Sequence, residues 1–322
     1  MSVIDKKKLS VIFSFYNDSE CIESTVKEIT KYLEQIDEID YEIIFVNDHS
    51  TDNSLQLILE QREKNKRIKV INLSRRFGHM PAIMAGLRNA TGDAAIYLDI
   101  DLQDPPELIP KMVNYWLHDN YDVVYTTRKK TSGNNFFLKI LSKVGYFILS
   151  KFSDIRVDVN SGDFKLINKK VINEYVKFTE VDPFYRLIVE YIGFKQKQIY
   201  YERRKRTKGK SKFSLFKIFT GFFEIALFPY SDFPLRFAFI FGFLSFFVCI
   251  IVMLRTLYLF FSGAESISTT SIFVAILFFA GIQSFVTGIL AMYVGRIHKE
   301  TMKRPLYIID NSIGFDKDQG QI

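Results

Sequence analysis

The residues best suited to chemistry in this 322-residue chain are Asp99-Ile100-Asp101-Leu102-Gln103-Asp104-Pro105-Pro106-Glu107. Two carboxylates one residue apart are followed by an amide, a third carboxylate and a double proline. An apolar run at 94–98 precedes them and reads as a buried strand. If the extended geometry continues past it, Asp99 and Asp101 share a face. Carboxylates aimed together repel, so a cation belongs between them. Oxygen ligands of this kind suit Mg²⁺ or Mn²⁺, which keeps positions open for substrate phosphates. Pro105 and Pro106 cannot extend a sheet and suit the start of a helix. The same residues also read as an ordinary solvated turn, and only the rest of the chain separates the two readings.

The surrounding elements alternate. A strand at 9–15 ends at Tyr16-Asn17-Asp18, and an amphipathic helix follows with Ile22, Val26, Ile29, Leu33 and Ile36 on one face. A strand at 41–46 ends at Asn47-Asp48-His49-Ser50. Ser50 or Asp52 is placed to cap the next helix, whose apolar face is Leu55, Ile58 and Leu59. A third strand, 68–73, leads through Arg75-Arg76-Phe77-Gly78-His79 into a small-residue helix at 81–90. After the strand at 94–98 come a helix at 107–118 and a strand at 122–125, which runs into Thr126-Thr127-Arg128. Strands alternating with helices predict an α/β fold, a largely parallel sheet covered on both faces. Ligands of such sheets bind beyond the carboxyl ends of the strands. Five polar clusters converge on that rim, which describes a site for something polar and anionic. No G-x-G-x-x-G or P-loop follows the first strand, so bound phosphates would rest on metal and side chains.

Composition divides the chain. Hydrophobic residues make up 48% and include 32 Phe, yet 25% of residues are charged and the formal net charge is +7. Basic residues gather at 201–217 and 296–304, beside apolar segments. That pairing suits a membrane surface more than a nucleic acid, for which no recognisable fold is present. Cys21 and Cys249 form no framework or metal pattern, which fits a reducing compartment. Residues 1–10 lack the apolar run of a signal peptide, so the first domain is expected in the cytosol. Residues 133–153 read as a core-facing helix, with a helix against lipid as the alternative. Residues 158–165 read as a polar turn entering a strand, in which Asp163 is either a turn residue or a reactive carboxylate. The run Arg203-Arg204-Lys205-Arg206-Thr207-Lys208-Gly209-Lys210-Ser211-Lys212 is a solvated face or, with Gly209 and Ser211 interrupting it, a loop around a phosphate. A Phe-rich helix after it suits an interfacial position on anionic lipid. Segments 237–254 and 272–294 are uncharged and long enough to span a bilayer. Arg255 beyond the first segment can snorkel, the link at 262–271 lacks Lys and Arg, and the outer flanks carry Arg236 on one side and Arg296, His298, Lys299, Lys303 and Arg304 on the other. Both termini are therefore expected in the cytosol with the short link outside. Gln283 inside the second span calls for helix–helix contact within or between subunits.

These pieces together resemble the polyisoprenyl-phosphate glycosyltransferases, membrane-attached family 2 enzymes with a GT-A fold. The resemblance runs from Val11 to about Ile309. It is carried by Phe15-Tyr16-Asn17-Asp18, by 46–52, by Arg76-Phe77-Gly78-His79, by Asp99 to Glu107, by Ser161-Gly162-Asp163-Phe164 and by Gly209-Lys210-Ser211-Lys212-Phe213. It continues through Gly281-Ile282-Gln283, Tyr293-Val294-Gly295-Arg296-Ile297 and Lys303-Arg304-Pro305-Leu306-Tyr307. The two-helix tail is most similar to the bactoprenol glucosyltransferase branch. The resemblance implies an α/β GT-A (Rossmann-like) catalytic domain at 1–210, an amphipathic juxtamembrane helix at 211–232, a transmembrane hairpin at 233–297 and a cytosolic tail at 298–322. It implies inverting transfer of a sugar, UDP-glucose being the expected donor, to a polyisoprenyl phosphate such as undecaprenyl phosphate. The setting is the cytosolic face of the cytoplasmic (inner) membrane, for a multi-pass protein that forms homo-oligomers and binds no nucleic acid.

Roles follow from the same resemblance. Asp99, Asp101 and Gln103 would hold or orient Mg²⁺ or Mn²⁺. Tyr16, Asp18, Asp48, Gly78, Asp99 and Arg128 would line the donor, with Asp48 on the base and Arg128 on phosphate. Asp163 would orient the acceptor or act as base, beside Asp101 and Arg128 as the catalytic set. Arg203, Arg204, Lys210, Ser211 and Lys212 would receive the lipid phosphate. The chain departs from the family in having Ser14 for Pro, Asp18 for Glu, Asn47 for the first acid of a pair and His49 for Gly. A processive polysaccharide synthase is the competing enzyme. Its Gln-x-x-Arg-Trp motif is missing here, since the one tryptophan, Trp116, lies in another context. A non-catalytic membrane scaffold is the other alternative, and the intact Asp99-x-Asp101-x-Gln103 argues against it.

Overall fold

A computed structural model describes residues 6–128, 161–180, 185–202, 233–262 and 269–315. The first unit is built on a sheet of eight strands in the order β7-β5-β6-β4-β1-β2-β3-β8. Its centre is made of the apolar runs seen in the sequence: β1 (Lys7–Phe15), β2 (Ile39–Asn47), β3 (Ile68–Leu73) and β4 (Ala94–Tyr97). β1 pairs in parallel with both β2 and β4, and β2 pairs in parallel with β3. Each strand is buried on both faces because α-helices cover both. Val11, Phe13 and Phe15 of β1 share a cluster with Ile22, Val26 and Ile29 of α1 (Ser19–Leu33). Ile12, pointing the other way, packs with α3 (His79–Asn89). α3 lies so close that a Cβ at Gly86 would stand 2.4 Å from Ile12 Cγ2, so only glycine fits there. α2 (Ser54–Lys64) and α4 (Ile109–Leu117) complete this framework.

Four features differ from the sequence reading. β4 stops at Tyr97, and Leu102 stands at φ 52, so the extended geometry does not reach the acids. α2 is entered from Asn53, which makes no side-chain cap, and not directly from Ser50 or Asp52, although Asp52, as expected, accepts the Ser54 N–H at 3.0 Å. The half of the sheet beyond β4 is mixed. β6 (Ser161–Asn168) runs antiparallel to β4 and to β5 (Val123–Arg128), and β7 (Gln196–Tyr201) runs parallel to β5. Two short helices, α5 (Lys169–Tyr175) and α6 (Tyr185–Ile192), join β6 to β7. Finally, β8 (Ile309–Ile313) adds antiparallel to the edge of β3. Its polar, exposed sequence carries no strand period.

The second unit contains two long helices that pack on each other, α7 (Phe233–Phe261) and α8 (Thr269–Thr301). Within them, Leu235–Thr256 and Ala275–Thr301 are long and apolar enough to cross a membrane. Their Phe, Leu and Ile side chains are largely exposed, as bilayer-facing residues would be. The expected helix at 133–153, the Phe-rich interfacial helix and the basic loop at 203–212 lie outside the described residues.

Candidate active site

The carboxyl ends of β1 and β2 are tied to each other before any ligand is considered. Asn17, at φ 55, turns the chain out of β1, and His49, at φ 61, does the same after β2. Asn17 Oδ1 accepts the Thr51 N–H at 2.8 Å, and the Asn17 N–H donates to Ser50 Oγ at 3.1 Å. The Asp18 N–H donates to Ser54 Oγ at 3.0 Å, while Asp18 Oδ2 accepts the Tyr16 N–H at 3.0 Å. These bonds give the rim a defined floor and hold Tyr16 and Asp18 beside it. The Arg76 guanidinium lies 3.9 Å from the centre of the Tyr16 ring, a cation–π contact at a mostly exposed site.

Asp48 follows β2 and is 3% exposed. Its carboxylate accepts backbone N–H groups from Phe77 at 2.7 Å and Gly78 at 2.9 Å. Asp48 therefore organises the loop between β3 and α3. Gly78 is the residue before α3 and has φ 109, a conformation that side-chain-bearing residues rarely adopt. Immediately after it comes His79, which the sequence placed in the motif but gave no role of its own. Its Nδ1 bonds with Ser14 Oγ, and its Nε2 stands 3.6 Å from Asp99 Oδ1. The motif Phe77-Gly78-His79 thus links the β3 loop to the acids after β4.

Those acids do gather, but through a turn and not through strand alternation. The Gln103 N–H donates to Asp101 Oδ1 at 3.1 Å, closing the turn around Leu102. Burial pushes the Asp99 carboxyl above the ordinary carboxylate range. Neighbouring His79 opposes this, and the charges of Asp104, Asp163 and Asp101 add to it. Asp163 is on β6, within a strand and not in a turn, one of the two readings its sequence left open, because Ser161 already pairs with Thr127. Antiparallel insertion of β6 beside β4 is what carries Asp163 to Asp99.

Arg128 ends β5. Its Nε–H donates to the Tyr201 hydroxyl at 3.2 Å, and its Nη2 stands 4.0 Å from Asp104 Oδ1. The Tyr201 O–H donates to Asp104 Oδ1 in turn. Asp104 is fully buried. Burial, together with the Asp104 charge and its hydrogen bond, pushes the Tyr201 phenol up to about 12, against the opposing pull of Arg128. Asp104 and Tyr201 therefore hold one edge of the Arg128 guanidinium. Neither residue was assigned a role from sequence. An acid before two prolines reads locally as a turn, and its burial depends on β7, 97 residues away.

Among the described residues, no group of three or more acidic, histidine or cysteine side chains is arranged to hold a metal by itself. The donor set nevertheless fits a hard cation bound together with a ligand. Asp99 and Asp101 offer carboxylate oxygens amid mutually repelling acids, and Mg²⁺ or Mn²⁺ takes its other ligands from phosphate and water. Gln103 is nearly buried beside them. The structure thus brings Tyr16, Asp18, Asp48 and Gly78 to one part of the rim, and Asp99, Asp101, Gln103, Asp163 and Arg128 to the other, joined through His79. Arg203, Arg204, Lys210, Ser211 and Lys212 lie outside the described residues.

Residues 10–176 match the family described as Glycosyl transferase family 2. An uncharacterized glycosyltransferase of Bacillus subtilis, YkcC, is 36% identical over 308 residues, covering 95% of this chain and 94% of that protein. A prophage bactoprenol glucosyl transferase homolog of Escherichia coli is 32% identical, covering 94% and 98%. The bactoprenol glucosyl transferase of Shigella phage SfX is 31% identical with the same coverage. Among solved structures, mannosyl-3-phosphoglycerate synthase from Rubrobacter xylanophilus is similar at a TM-score of 0.46 and 14% identity, over 67% of this chain and 71% of that one.

Proposed function

The chain belongs to glycosyl transferase family 2, and from that premise we propose that it moves one sugar from a nucleotide sugar to a polyisoprenyl phosphate. Its α/β domain is GT-A-like, and it is a glycosyltransferase. One observation carries the lipid acceptor. Relatives named for bactoprenol glucosyl transfer match it at 31–32% identity almost end to end, through the acidic rim and both apolar helices. By the same likeness the donor is UDP-glucose and the acceptor undecaprenyl phosphate.

The reaction is a single displacement. A lipid phosphate oxygen forms a bond to the anomeric carbon as the bond to the nucleotide diphosphate breaks, and the electron pair leaves with the diphosphate. Configuration at that carbon inverts. The nucleophile is already anionic, so little general-base help is needed, and Asp163 positions the acceptor. Arg128, held by Tyr201 and Asp104, faces the charge that develops on the leaving group. Tyr16, Asp18, Gly78 and the loop held by Asp48 support the nucleotide. Mg²⁺ or Mn²⁺ bound at Asp99, Asp101 and Gln103 would supply neutralising charge to the diphosphate. Arg203, Arg204, Lys210, Ser211 and Lys212 receive the lipid phosphate.

The proposed setting is a membrane, with the sheet and both chain ends on one side. Two apolar helices lie between β7 and β8, and both strands belong to the same sheet. A chain that crosses twice returns to the side it left, which supports this arrangement and agrees with the distribution of Lys and Arg. Gln283, exposed on α8, supports assembly with further copies. The test is to incubate purified protein with undecaprenyl phosphate, Mg²⁺ or Mn²⁺ and a panel of sugar nucleotides, and to weigh the lipid product. Addition of one hexose from UDP-glucose is expected. Absence of lipid product with every donor defeats the proposal, and a ladder of several sugars per lipid favours a processive synthase.

A further inference from the structure

Three asparagines stand side by side across the carboxyl edge of three strands. Asn47 ends β2, Asn72 lies on β3 and Asn311 lies on β8, and they are direct cross-strand partners, Asn47↔Asn72 and Asn72↔Asn311. Their side chains form a continuous ladder. Asn47 Nδ2 donates to Asn72 Oδ1 at 3.1 Å, and Asn72 Nδ2 donates to Asn311 Oδ1 at 2.7 Å. Asn311 Nδ2 donates onward to Asp310 Oδ2 at 2.9 Å. At the other end, Asn47 Oδ1 accepts the Ser50 N–H at 2.9 Å. Every amide thus donates in the same direction, toward a carboxylate, so each bond polarises the next. Asn47 and Asn72 are buried, so a broken rung leaves a buried amide without its partner.

We propose that Asn311 is a positioning residue for the nucleotide site, acting through Asn72 and Asn47 on the loop after β2. This rests on reading the rim as a nucleotide-sugar site. The ladder's first bond closes the turn at 47–50, where His49 is held at φ 61. That turn contains Asp48, whose carboxylate fixes the amides of Phe77 and Gly78. It also contains Ser50, whose hydroxyl accepts from Asn17 in the loop after β1. Both loops that carry the base-side residues therefore depend on the Asn47 turn. The far end of the ladder is supplied by β8, which begins eight residues after α8 ends at Thr301. Other contacts seat β8 independently of the ladder. The Ser74 N–H donates to Ile308 O at 3.0 Å, and Ile313 packs on the core. Docking of the strand and the ladder can therefore be separated experimentally.

The experiment uses the full chain in lipid nanodiscs. Binding of UDP and of GDP, each with Mn²⁺, is measured by titration calorimetry, and donor KM and kcat are measured separately. Asn311→Ala leaves Asn72 without its acceptor and is expected to raise the nucleotide Kd and donor KM about five- to tenfold, with kcat within about twofold. Asn311→Asp keeps the acceptor and is expected to restore Kd to within about twofold of the parent. Ile313→Ala loosens β8 without touching the ladder; it is expected to lower the unfolding temperature and leave Kd unchanged. An Asn311→Ala variant that binds nucleotide like the parent overturns the inference. So does an Ile313→Ala variant whose Kd rises as much, since strand docking alone would then explain the effect. Failure of the parent protein to bind either nucleotide removes the nucleotide-site reading itself, and this inference with it.

Discussion

Glu42 offers the clearest quantitative test of how the sheet is held. It lies on β2 toward the amino ends of the strands and is 2% exposed. Lys69 Nζ reaches its Oε2 at 2.8 Å and Lys8 Nζ at 3.0 Å. Ser10 Oγ donates to Oε1 at 2.6 Å, and the Thr91 N–H and hydroxyl each donate at 2.8 Å. One carboxylate thus joins β1, β2, β3 and the turn before β4. Burial alone would push this carboxyl up. The hydrogen bonds from Lys69, Ser10 and Thr91 outweigh burial and hold it at about 2, against an ordinary 4.5. The folded state therefore favours the ionised form, which is worth about 3 kcal/mol at neutral pH. Because the folded pKa is the lower one, this stability is complete above about pH 5 and is lost as pH falls toward 2. Glu42→Gln removes the charge while nearly keeping the shape. The assay is denaturant unfolding of the full chain followed by fluorescence of Trp116, the one tryptophan, which is buried in the sheet unit. The variant is expected to be less stable by about 3 kcal/mol at pH 7, and the gap should shrink to less than half of that by about pH 3. A gap of the same size at both pH values would refute the account, because the loss would then come from packing and not from the charge.

Four further outcomes are expected. Asp101→Ala lowers transfer to lipid phosphate about a hundredfold or more while the protein still fractionates with membranes; wild-type-like turnover would sink the metal assignment. Chelation with EDTA stops transfer, and added Mn²⁺ or Mg²⁺ restores it, both read as lipid product by mass. Tyr201→Phe keeps the ring but removes the hydroxyl shared by Asp104 and Arg128; about 1.5–3 kcal/mol of charge-assisted hydrogen bonding is lost, and kcat should fall about tenfold or more with Trp116 unfolding shifted to lower denaturant. Gly78→Ala forces a side chain onto a residue at φ 109 and should cost about 1–3 kcal/mol and weaken donor binding, seen as a higher donor KM.

What was legible in the sequence is what local physics encodes. β1 to β4 are apolar runs wide enough to be buried on both sides, and α1 shows its buried stripe at helical spacing. The rim was legible because each of the first five strands ends in the same kind of polar cluster. What was not legible depends on distant partners. β8 is Ile-Asp-Asn-Ser-Ile, mostly exposed, and becomes a strand because β3 presents an open edge to it. Asn72 and Asn311 are 239 residues apart in the chain. Asp48 was expected on the nucleotide base; what the sequence did not show is that its two oxygens also accept the N–H groups of the loop at 77–78. Its type signals a polar role, but this second partner is set by the path of β3.

Leu102 shows why the acid turn in particular escapes local reading. Strand alternation predicts that Asp99 and Asp101 point together, and that expectation needs no unusual residue. The actual turn puts Leu102 at φ 52, a strained conformation for leucine of about 1–3 kcal/mol. Three contacts sustain it. Leu102 packs on the core, Asp101 takes the Gln103 N–H, and Asp104 is fixed by Tyr201. Each comes from the tertiary fold or from the turn itself, and none is a preference of the Leu102 residue. A relaxed strand could offer two carboxylates at a two-residue repeat. The strained turn lets Asp101 bond back to Gln103 and buries Asp104 under Arg128, while Asp99 stays within reach of His79. Acids that would otherwise repel along one strand are thereby given separate partners.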